Sequence, residues 1–131
     1  MAAMEKETIH IPPIELDWSD WASWDSLKAD SRSGQGVIVP NKIPGVYEAR
    51  LMGAEERLTI GKTSNLRYRI KQGLLKGIAQ HSAGDDIRAN EDTSKIEVRW
   101  AATDRPAAAE EDLHMRYVAK FGKLPKYTEH T

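Results

Sequence analysis

The alternation of hydrophobic and polar positions predicts a small sheet in the middle of the chain. Apolar-rich runs over 45–52 and 57–60 predict two strands, and the turn-forming residues at 53–56 join them into a hairpin. Gly61 is expected to end the second strand in a turn. Residues 95–101 alternate polar and apolar side chains, which is typical of a third strand with one buried face. We therefore expect three antiparallel strands.

Helices are predicted on both sides of the third strand. Apolar residues at helical spacing indicate a helix over 65–75. A pattern that begins after a proline indicates a longer helix over 107–121, which Gly122 would end. The polar segment 81–94 is expected to be a loop with a short helical turn. The predicted fold is of the α+β type within the broad α/β class: a three-stranded antiparallel sheet flanked by helices.

Residues 1–40 are predicted to form an accessory arm to a domain that spans 41–131. Within the arm, a helix is expected over 17–29, followed by a polar, glycine-rich link over 31–36. The helix carries three tryptophans: Trp18, Trp21 and Trp24. Large aromatic surfaces are rarely left in water, so we expect the helix to dock on the domain, with a partner surface or self-association as the alternative.

The composition restricts the class of protein. At 131 residues the chain is long enough for one domain with one core. No apolar run approaches the roughly 18 residues that a membrane span needs, so no membrane is expected as a partner. The chain contains no cysteine, which excludes disulfides and thiolate-based zinc sites, and we expect a cytoplasmic location.

Positive charge is concentrated locally although the net charge is −1. Between residues 62 and 76 there are five cations and no carboxylate, a stripe of the kind that can follow a phosphate backbone. Charge alone favours the simpler interpretation of a solvated helix face. If the stripe binds nucleic acid, the candidate residues are Lys62, Asn65, Arg67, Lys71 and Lys76.

Two short motifs and two later residues form an ordered set. The first motif is Gly45-Val46-Tyr47, the second is Thr59-Ile60-Gly61, and Arg69 and Glu110 follow them along the chain. In this order and spacing they resemble the GIY-YIG nuclease domain. The resemblance covers residues 43–128 and implies the same three-stranded antiparallel sheet with flanking helices.

The resemblance implies a divalent-metal-dependent endonuclease that hydrolyses DNA phosphodiester bonds. Tyr47 matches the family's general base or water-orienting group, Arg69 matches the residue that stabilises the phosphate, and Glu110 matches the ligand of Mg²⁺ or Mn²⁺. Lys62 resembles a lysine near the active site of several members. A single carboxylate leaves most of the coordination sphere to water and phosphate, which suits Mg²⁺.

The chemistry of a phenol sets a further requirement. The pKa of a free tyrosine is about 10, so Tyr47 needs nearby positive charge, from Lys62 or from the metal, before it can accept a proton at neutral pH. His81 is an additional catalytic candidate because it follows the basic helix and precedes a small-residue segment.

Two positions depart from the family pattern. Thr59 stands where most members carry a tyrosine, and Tyr68 or His81 are the candidates to fill the space. Thr128 stands where many relatives have asparagine, so a contact that supports the metal-bound acid is expected to differ.

Other functions stay open at the level of sequence. The missing tyrosine favours a catalytically impaired nucleic-acid-binding module, and the tryptophan helix favours a protein-interaction module. Glu111 is the alternative to Glu110 as metal ligand, and Glu110 can also be explained as an acid that the helix dipole stabilises in a first turn. The strandedness of the DNA and its base preference are not indicated.

Overall fold

The structure is a computed structural model that describes residues 6–29 and 38–128. Its centre is a four-stranded antiparallel sheet with the strand order β1-β4-β2-β3. The strands are β1 (Ala22–Ser23), β2 (Gly45–Leu51), β3 (Thr59–Thr63) and β4 (Ile96–Ala102). The strands β2 and β4 form the middle of the sheet, and β3 is an edge strand.

Helical segments pack around this sheet. They are α1 (Trp24–Lys28), a π-helix (Tyr68–Leu75), α2 (Ser82–Asn90), a 3₁₀ turn (Thr93–Lys95) and α3 (Pro106–Phe121). Gly122 adopts the left-handed conformation that commonly ends a helix, as the sequence predicts for α3. Within 6–29 and 38–128, no helix combines the length and the apolar character that a bilayer span requires.

The sheet has one strand more than the sequence predicts. The additional strand β1 comes from the arm, where Ala22 pairs with Val98 and Ser23 pairs with Glu97 of β4. Two residues are too few to leave an alternation pattern, so this strand escapes a sequence-based prediction. The helix α1 is also shorter than the predicted helix over 17–29, because the preceding residues enter the sheet.

The prediction of a loop over 81–94 is wrong for most of the segment, because α2 occupies its first part. His81 caps this helix, since its Nδ1 atom accepts the backbone N–H of Gly84 at 2.9 Å. Histidine is not a preferred N-cap residue, and Ile87 is the one large apolar side chain that α2 buries. The usual signals of a helix are therefore weak here. The predicted link over 31–36 lies outside the described residues.

The sheet separates two apolar regions. The main core lies on the face that carries Tyr47 and Trp100, and it is closed by the π-helix, α2 and α1. Its fully buried members on those three helical segments include Ile70, Leu74, Ile87, Trp24 and Leu27. A smaller cluster on the opposite face joins Val46 and Ala101 to Ala109 of α3, with side chains of the arm packed beside it.

The tryptophans of the arm lie against the sheet. Trp24 is 1% exposed within the main core. The guanidinium carbon of Arg50 lies 3.9 Å from the centroid of the Trp21 ring, and that of Arg99 lies 4.2 Å from the centroid of the Trp18 ring. The predicted docking of these side chains on the domain is confirmed.

Side chains and the C-terminal segment cover the outer side of β3. The backbone N–H of Tyr127 donates to the carbonyl oxygen of Leu58 at 2.8 Å, and that of Ile60 donates to Oγ1 of Thr128 at 3.2 Å. The Nε2 atom of His114 lies 3.0 Å from the carbonyl oxygen of Ile60. An uncovered strand edge tends to pair with other chains, and these contacts occupy that edge here.

Candidate active site

An open cleft with a volume of about 390 Å³ lies beside the edge strand β3. Side chains from both faces of the sheet line this cleft, because the main core lies on one side of β3 and α3 lies on the other. Every residue predicted as catalytic lines this cleft, namely Tyr47, Lys62, Arg69, His81 and Glu110. Other lining residues include Thr59, Gly61, Ser82, Ala83, His114 and Thr128.

The glycine of the second motif makes room for the phenol of the first. Tyr47 and Gly61 are direct cross-strand partners in β2 and β3. A Cβ atom at position 61 would overlap the hydroxyl end of the Tyr47 ring. Gly61 therefore lies within β3 and packs under an aromatic ring, instead of forming the turn that the sequence predicts.

Tyr47, His81 and Arg69 are joined by hydrogen bonds. Because the N–H of Gly84 donates to Nδ1 of His81, the neutral imidazole carries its proton on Nε2. The Nε2 atom lies 2.8 Å from the Tyr47 oxygen and donates to it. The Nε atom of Arg69 donates to the same oxygen at 3.3 Å. The phenol oxygen thus accepts two hydrogen bonds, and its own O–H is directed by neither of them.

Burial governs the protonation of both rings. Burial raises the pKa of Tyr47 above its ordinary value, while the charge and hydrogen bond of Arg69 lower it in part and the charge of Glu110 raises it further. Burial, followed by the charges of Arg69 and Arg88, lowers the pKa of His81 to about 4. At neutral pH, therefore, Tyr47 is a neutral phenol and His81 is a neutral imidazole.

The cation that acts on the phenol is Arg69. Lys62 lines the cleft with an exposed side chain, but its charge is not among the causes that shift the pKa of Tyr47. The expectation that Lys62 lowers this pKa is therefore not met. Lys62 makes no hydrogen bond or ion pair with any residue that the structure describes, so its ammonium group is available to an anion in the cleft.

Arg69 is fixed from both sides. It is the second residue of the π-helix, and its Nη1 atom donates to the carbonyl oxygen of Gln80 at 2.9 Å. This bond and the bond to Tyr47 orient the guanidinium while leaving other N–H donors for a ligand. A π-helix is rare and is often found at a functional site, which agrees with its position beside this cleft.

Glu110 and His114 are the side chains of the cleft that could hold a divalent cation. The side chain of Glu110 has no hydrogen-bond or ion-pair partner within 6–29 and 38–128, whereas Glu111 is exposed and does not line the cleft. The Nδ1 atom of His114, in the same cleft, is buried without a hydrogen-bond partner. No cluster of three or more potential protein ligands occurs in the described part of the chain. A cation here would take its remaining ligands from water and phosphate.

The two departures from the family pattern are in contact with each other. The Oγ1 atoms of Thr59 and Thr128 lie 3.1 Å apart at the wall of the cleft. Tyr68 is 57% exposed and does not line the cleft, so it does not replace the missing phenol. A pair of hydroxyl groups therefore stands where the family carries a tyrosine and an asparagine.

Most residues of the predicted basic stripe are bonded within the fold or lie outside the cleft. Arg67 donates through Nε to the carbonyl oxygen of Val39 at 2.8 Å, and the Oδ1 atom of Asn65 accepts backbone N–H groups. Lys71 is 7% exposed, with its Nζ atom 3.5 Å from the carbonyl oxygen of Ala29. Lys76 is exposed but does not line the cleft. Lys62 is the only one of the five predicted nucleic-acid-binding residues that lines the cleft.

Sequence reasoning missed three groups of the cleft. His114 lies four residues after Glu110 in α3 and lines the cleft, and the sequence motifs assign no site role to it. Ser82 and Ala83 begin α2 at the cleft, where the first backbone N–H groups of a helix carry partial positive charge. The spacing of four residues between Glu110 and His114 could have predicted that both lie on one face of α3. The start of α2 could not be predicted in this way, because its N-cap is a histidine, which is not a preferred N-cap residue.

The chain matches no protein-family model, no curated protein and no solved structure. The resemblance to the GIY-YIG domain therefore rests on the sequence motifs alone.

Proposed function

We propose that this protein is a divalent-metal-dependent endonuclease that hydrolyses DNA phosphodiester bonds on a GIY-YIG-like fold. The observation that carries the proposal is the convergence of Tyr47, Arg69 and Glu110 on one open cleft. These residues are far apart along the chain, and they come from a strand, a π-helix and an α-helix on two sides of an edge strand. A phenol, a guanidinium and an unpaired carboxylate in one cleft suit phosphodiester chemistry.

Tyr47 is proposed to orient the attacking water. Because burial keeps this side chain a neutral phenol and its oxygen accepts bonds from His81 and Arg69, its O–H is left to donate to the oxygen atom of the water. His81 cannot take the proton from Tyr47 in the observed tautomer, because its Nε2 atom is the donor. His81 is therefore a positioning residue for the phenol.

The phosphate is proposed to lie between Arg69, Lys62 and the start of α2. Negative charge on a phosphodiester grows in the transition state, and fixed cations stabilise that charge most effectively when they are already oriented. Arg69 is oriented by its bonds to Tyr47 and Gln80. Lys62 adds an exposed positive charge that lines the cleft.

Glu110 is proposed to hold Mg²⁺ or Mn²⁺. When bound, such a cation supplies Lewis-acid stabilisation of the phosphate oxygens. The carboxylate lies in the same cleft as the phenol, and its charge reaches Tyr47.

The test is incubation of the protein with labelled single-stranded and double-stranded DNA in Mg²⁺, in Mn²⁺ and in chelator. We expect metal-dependent cleavage, and we expect Arg69→Ala to lower its rate by roughly tenfold or more, because a fixed phosphate donor is lost. Arg116→Ala is the matched control, since Arg116 is an exposed cation of α3 that does not line the cleft. Cleavage that chelator does not affect, or an Arg69→Ala protein as active as Arg116→Ala, would contradict the proposal.

One observation favours a second candidate, a catalytically impaired module that binds nucleic acid. The buried Thr59 replaces a phenol with a smaller hydroxyl, and Tyr127, which also lines the cleft, donates its hydroxyl to Glu91. Salt-sensitive DNA binding without product after long incubation would support this candidate over the nuclease. A protein-interaction role for the tryptophans has less support, since all three side chains contact the sheet or the core.

A further inference from the structure

His114 contains a nitrogen atom that the fold leaves without a partner. The side chain is 2% exposed and lines the cleft beside β3. Its Nδ1 atom is the one buried side-chain nitrogen or oxygen in the described ranges that has no hydrogen bond. Buried polar atoms are nearly always paired, so an unpaired atom calls for an explanation such as an ion or a water molecule that completes the site.

The state of the imidazole follows from its other nitrogen. The Nε2 atom lies 3.0 Å from the carbonyl oxygen of Ile60, and a carbonyl oxygen can only accept. The ring proton of the neutral side chain is therefore on Nε2. The Nδ1 atom is left with a lone pair, which is the form in which histidine binds a metal ion.

The position of His114 brings this lone pair into the neighbourhood of Glu110. The two residues are four positions apart on α3, so they are neighbours on one face of the helix, and both line the cleft. Long side chains in a helix lean toward its N-terminus, which directs His114 toward the turn that carries Glu110. A hydrogen bond from Nε2 to a backbone carbonyl is also the usual way in which a ligating histidine is oriented.

We propose that Glu110 and His114 together ligate the divalent cation of this cleft, through a carboxylate oxygen and through Nδ1. This inference rests on the proposed function for the presence of a cation. It adds a second protein ligand and a preference of the site for one divalent cation over another. Imidazole favours transition-metal ions, whereas carboxylate, water and carbonyl oxygens suit Mg²⁺. The site therefore selects Mn²⁺ over Mg²⁺.

A purely structural role for His114 makes a different prediction. The Nε2 bond to Ile60 covers the edge of β3 whether or not a metal is present. His114→Gln separates the two roles, because the amide N–H of glutamine can still donate to the Ile60 carbonyl, while no nitrogen lone pair remains. Glu111→Gln is the matched control, since it removes an exposed carboxylate of the same helix outside the cleft.

The experiment measures Mn²⁺ binding to the whole protein, without DNA, by electron paramagnetic resonance. We expect the His114→Gln variant to bind Mn²⁺ roughly tenfold more weakly than wild type. We expect its Mg²⁺ affinity, measured by calorimetry, to change by less than about twofold, because imidazole contributes little to Mg²⁺. Glu111→Gln should bind both ions as wild type does. Wild-type affinity for Mn²⁺ in His114→Gln would overturn the proposal.

A spectroscopic measurement keeps the proposal testable even if His114→Gln does not fold. Electron spin echo modulation of Mn²⁺ bound to the wild-type protein should show coupling to an imidazole nitrogen, and the coupling should persist in His81→Asn. A spectrum without nitrogen coupling overturns the proposal. Failure of the nuclease itself has a separate signature, namely absence of DNA cleavage in a protein that shows this nitrogen coupling.

Discussion

The chemistry of the cleft depends on which nitrogen of His81 carries the proton. The N–H of Gly84 occupies Nδ1, so Nε2 is the donor to Tyr47, and the phenol oxygen accepts from His81 and from Arg69. One backbone amide at the start of α2 thereby sets the direction of a hydrogen bond in the cleft. The helix cap and the hydrogen bonds to the Tyr47 phenol are parts of one arrangement.

His81 also makes folding stability depend on pH. The pKa of a histidine is about 6.5 when the chain is unfolded and about 4 for His81 in the fold, so the unfolded chain binds more protons between these values. The stabilisation is complete above pH 6.5 and is lost as the pH falls to about 4. From the shift of the pKa, we expect the free energy of unfolding to fall by about 3 kcal/mol over this range.

The measurement is chemical denaturation of wild type and of His81→Asn at pH 7 and pH 4. The Oδ1 atom of asparagine can accept the Gly84 N–H, and asparagine is a preferred N-cap, so the variant retains the cap and loses the titrating group. We expect its unfolding free energy to depend less steeply on pH. An equally steep decrease in the variant would show that other groups are responsible.

Among the elements, β3 has the strongest influence on the cleft. It carries Gly61 beneath the Tyr47 ring and exposes its outer edge to α3 and to the C-terminal segment. The π-helix then brings Arg69 over the same region. The two motifs therefore depend on each other as paired strands, because only a residue without a side chain at position 61 leaves room for the Tyr47 ring.

Substitution of Gly61 is expected to damage the site directly. In Gly61→Ala the new methyl group would overlap the end of the Tyr47 ring, so the ring must move. We expect a loss of about 1–3 kcal/mol in the free energy of unfolding, together with loss of DNA cleavage. Gly53→Asn is the control, because Gly53 has open space around it and a left-handed conformation that asparagine tolerates. A Gly61→Ala protein with wild-type stability and activity would refute this account of the motif.

The sequence was most informative where burial alternates regularly. The β4 strand buries Ile96, Val98 and Trp100 while the residues between them are less buried, and this pattern is visible in the sequence. The two motifs and their order also indicated which side chains would meet. The pairing of β1 and the histidine cap of α2 were not predictable, since the first depends on tertiary contact and the second on an uncommon cap.

At the scale of the whole molecule, a charged cluster joins the arm to the sheet. The carboxylate of Glu48 is 4% exposed and lies 3.1 Å from Nε of Arg57 and 2.6 Å from Nη2 of Arg99. The Trp21 ring lies over these guanidinium groups, at 5.0 Å from Arg57 and 4.6 Å from Arg99. Glu48 holds together the cations on which the arm packs.

Glu48→Gln is therefore expected to loosen the arm. Removal of the charge leaves two largely buried guanidinium groups without their counter-ion, which costs about 3 kcal/mol of folding stability. Glu55→Gln is the control, because Glu55 is exposed and its nearest cation, Lys120, is 3.9 Å away, so no measurable change is expected. Tryptophan fluorescence would measure the packing of the arm tryptophans during thermal unfolding. Identical melting temperatures for the two variants would argue against this role for Glu48.

The segments that cover β4 and β3 affect how the protein would aggregate when it is damaged. The short strand β1 lies along β4, which would otherwise be an outer strand, and Tyr127 and Thr128 lie along the outer strand β3, so each of these two strands is covered by a segment distant from it in sequence. Damage that frees either segment exposes backbone groups before the interior is disrupted. The first product of such damage would be filaments or soluble aggregates built by strand addition between copies, formed while most of each molecule is still native.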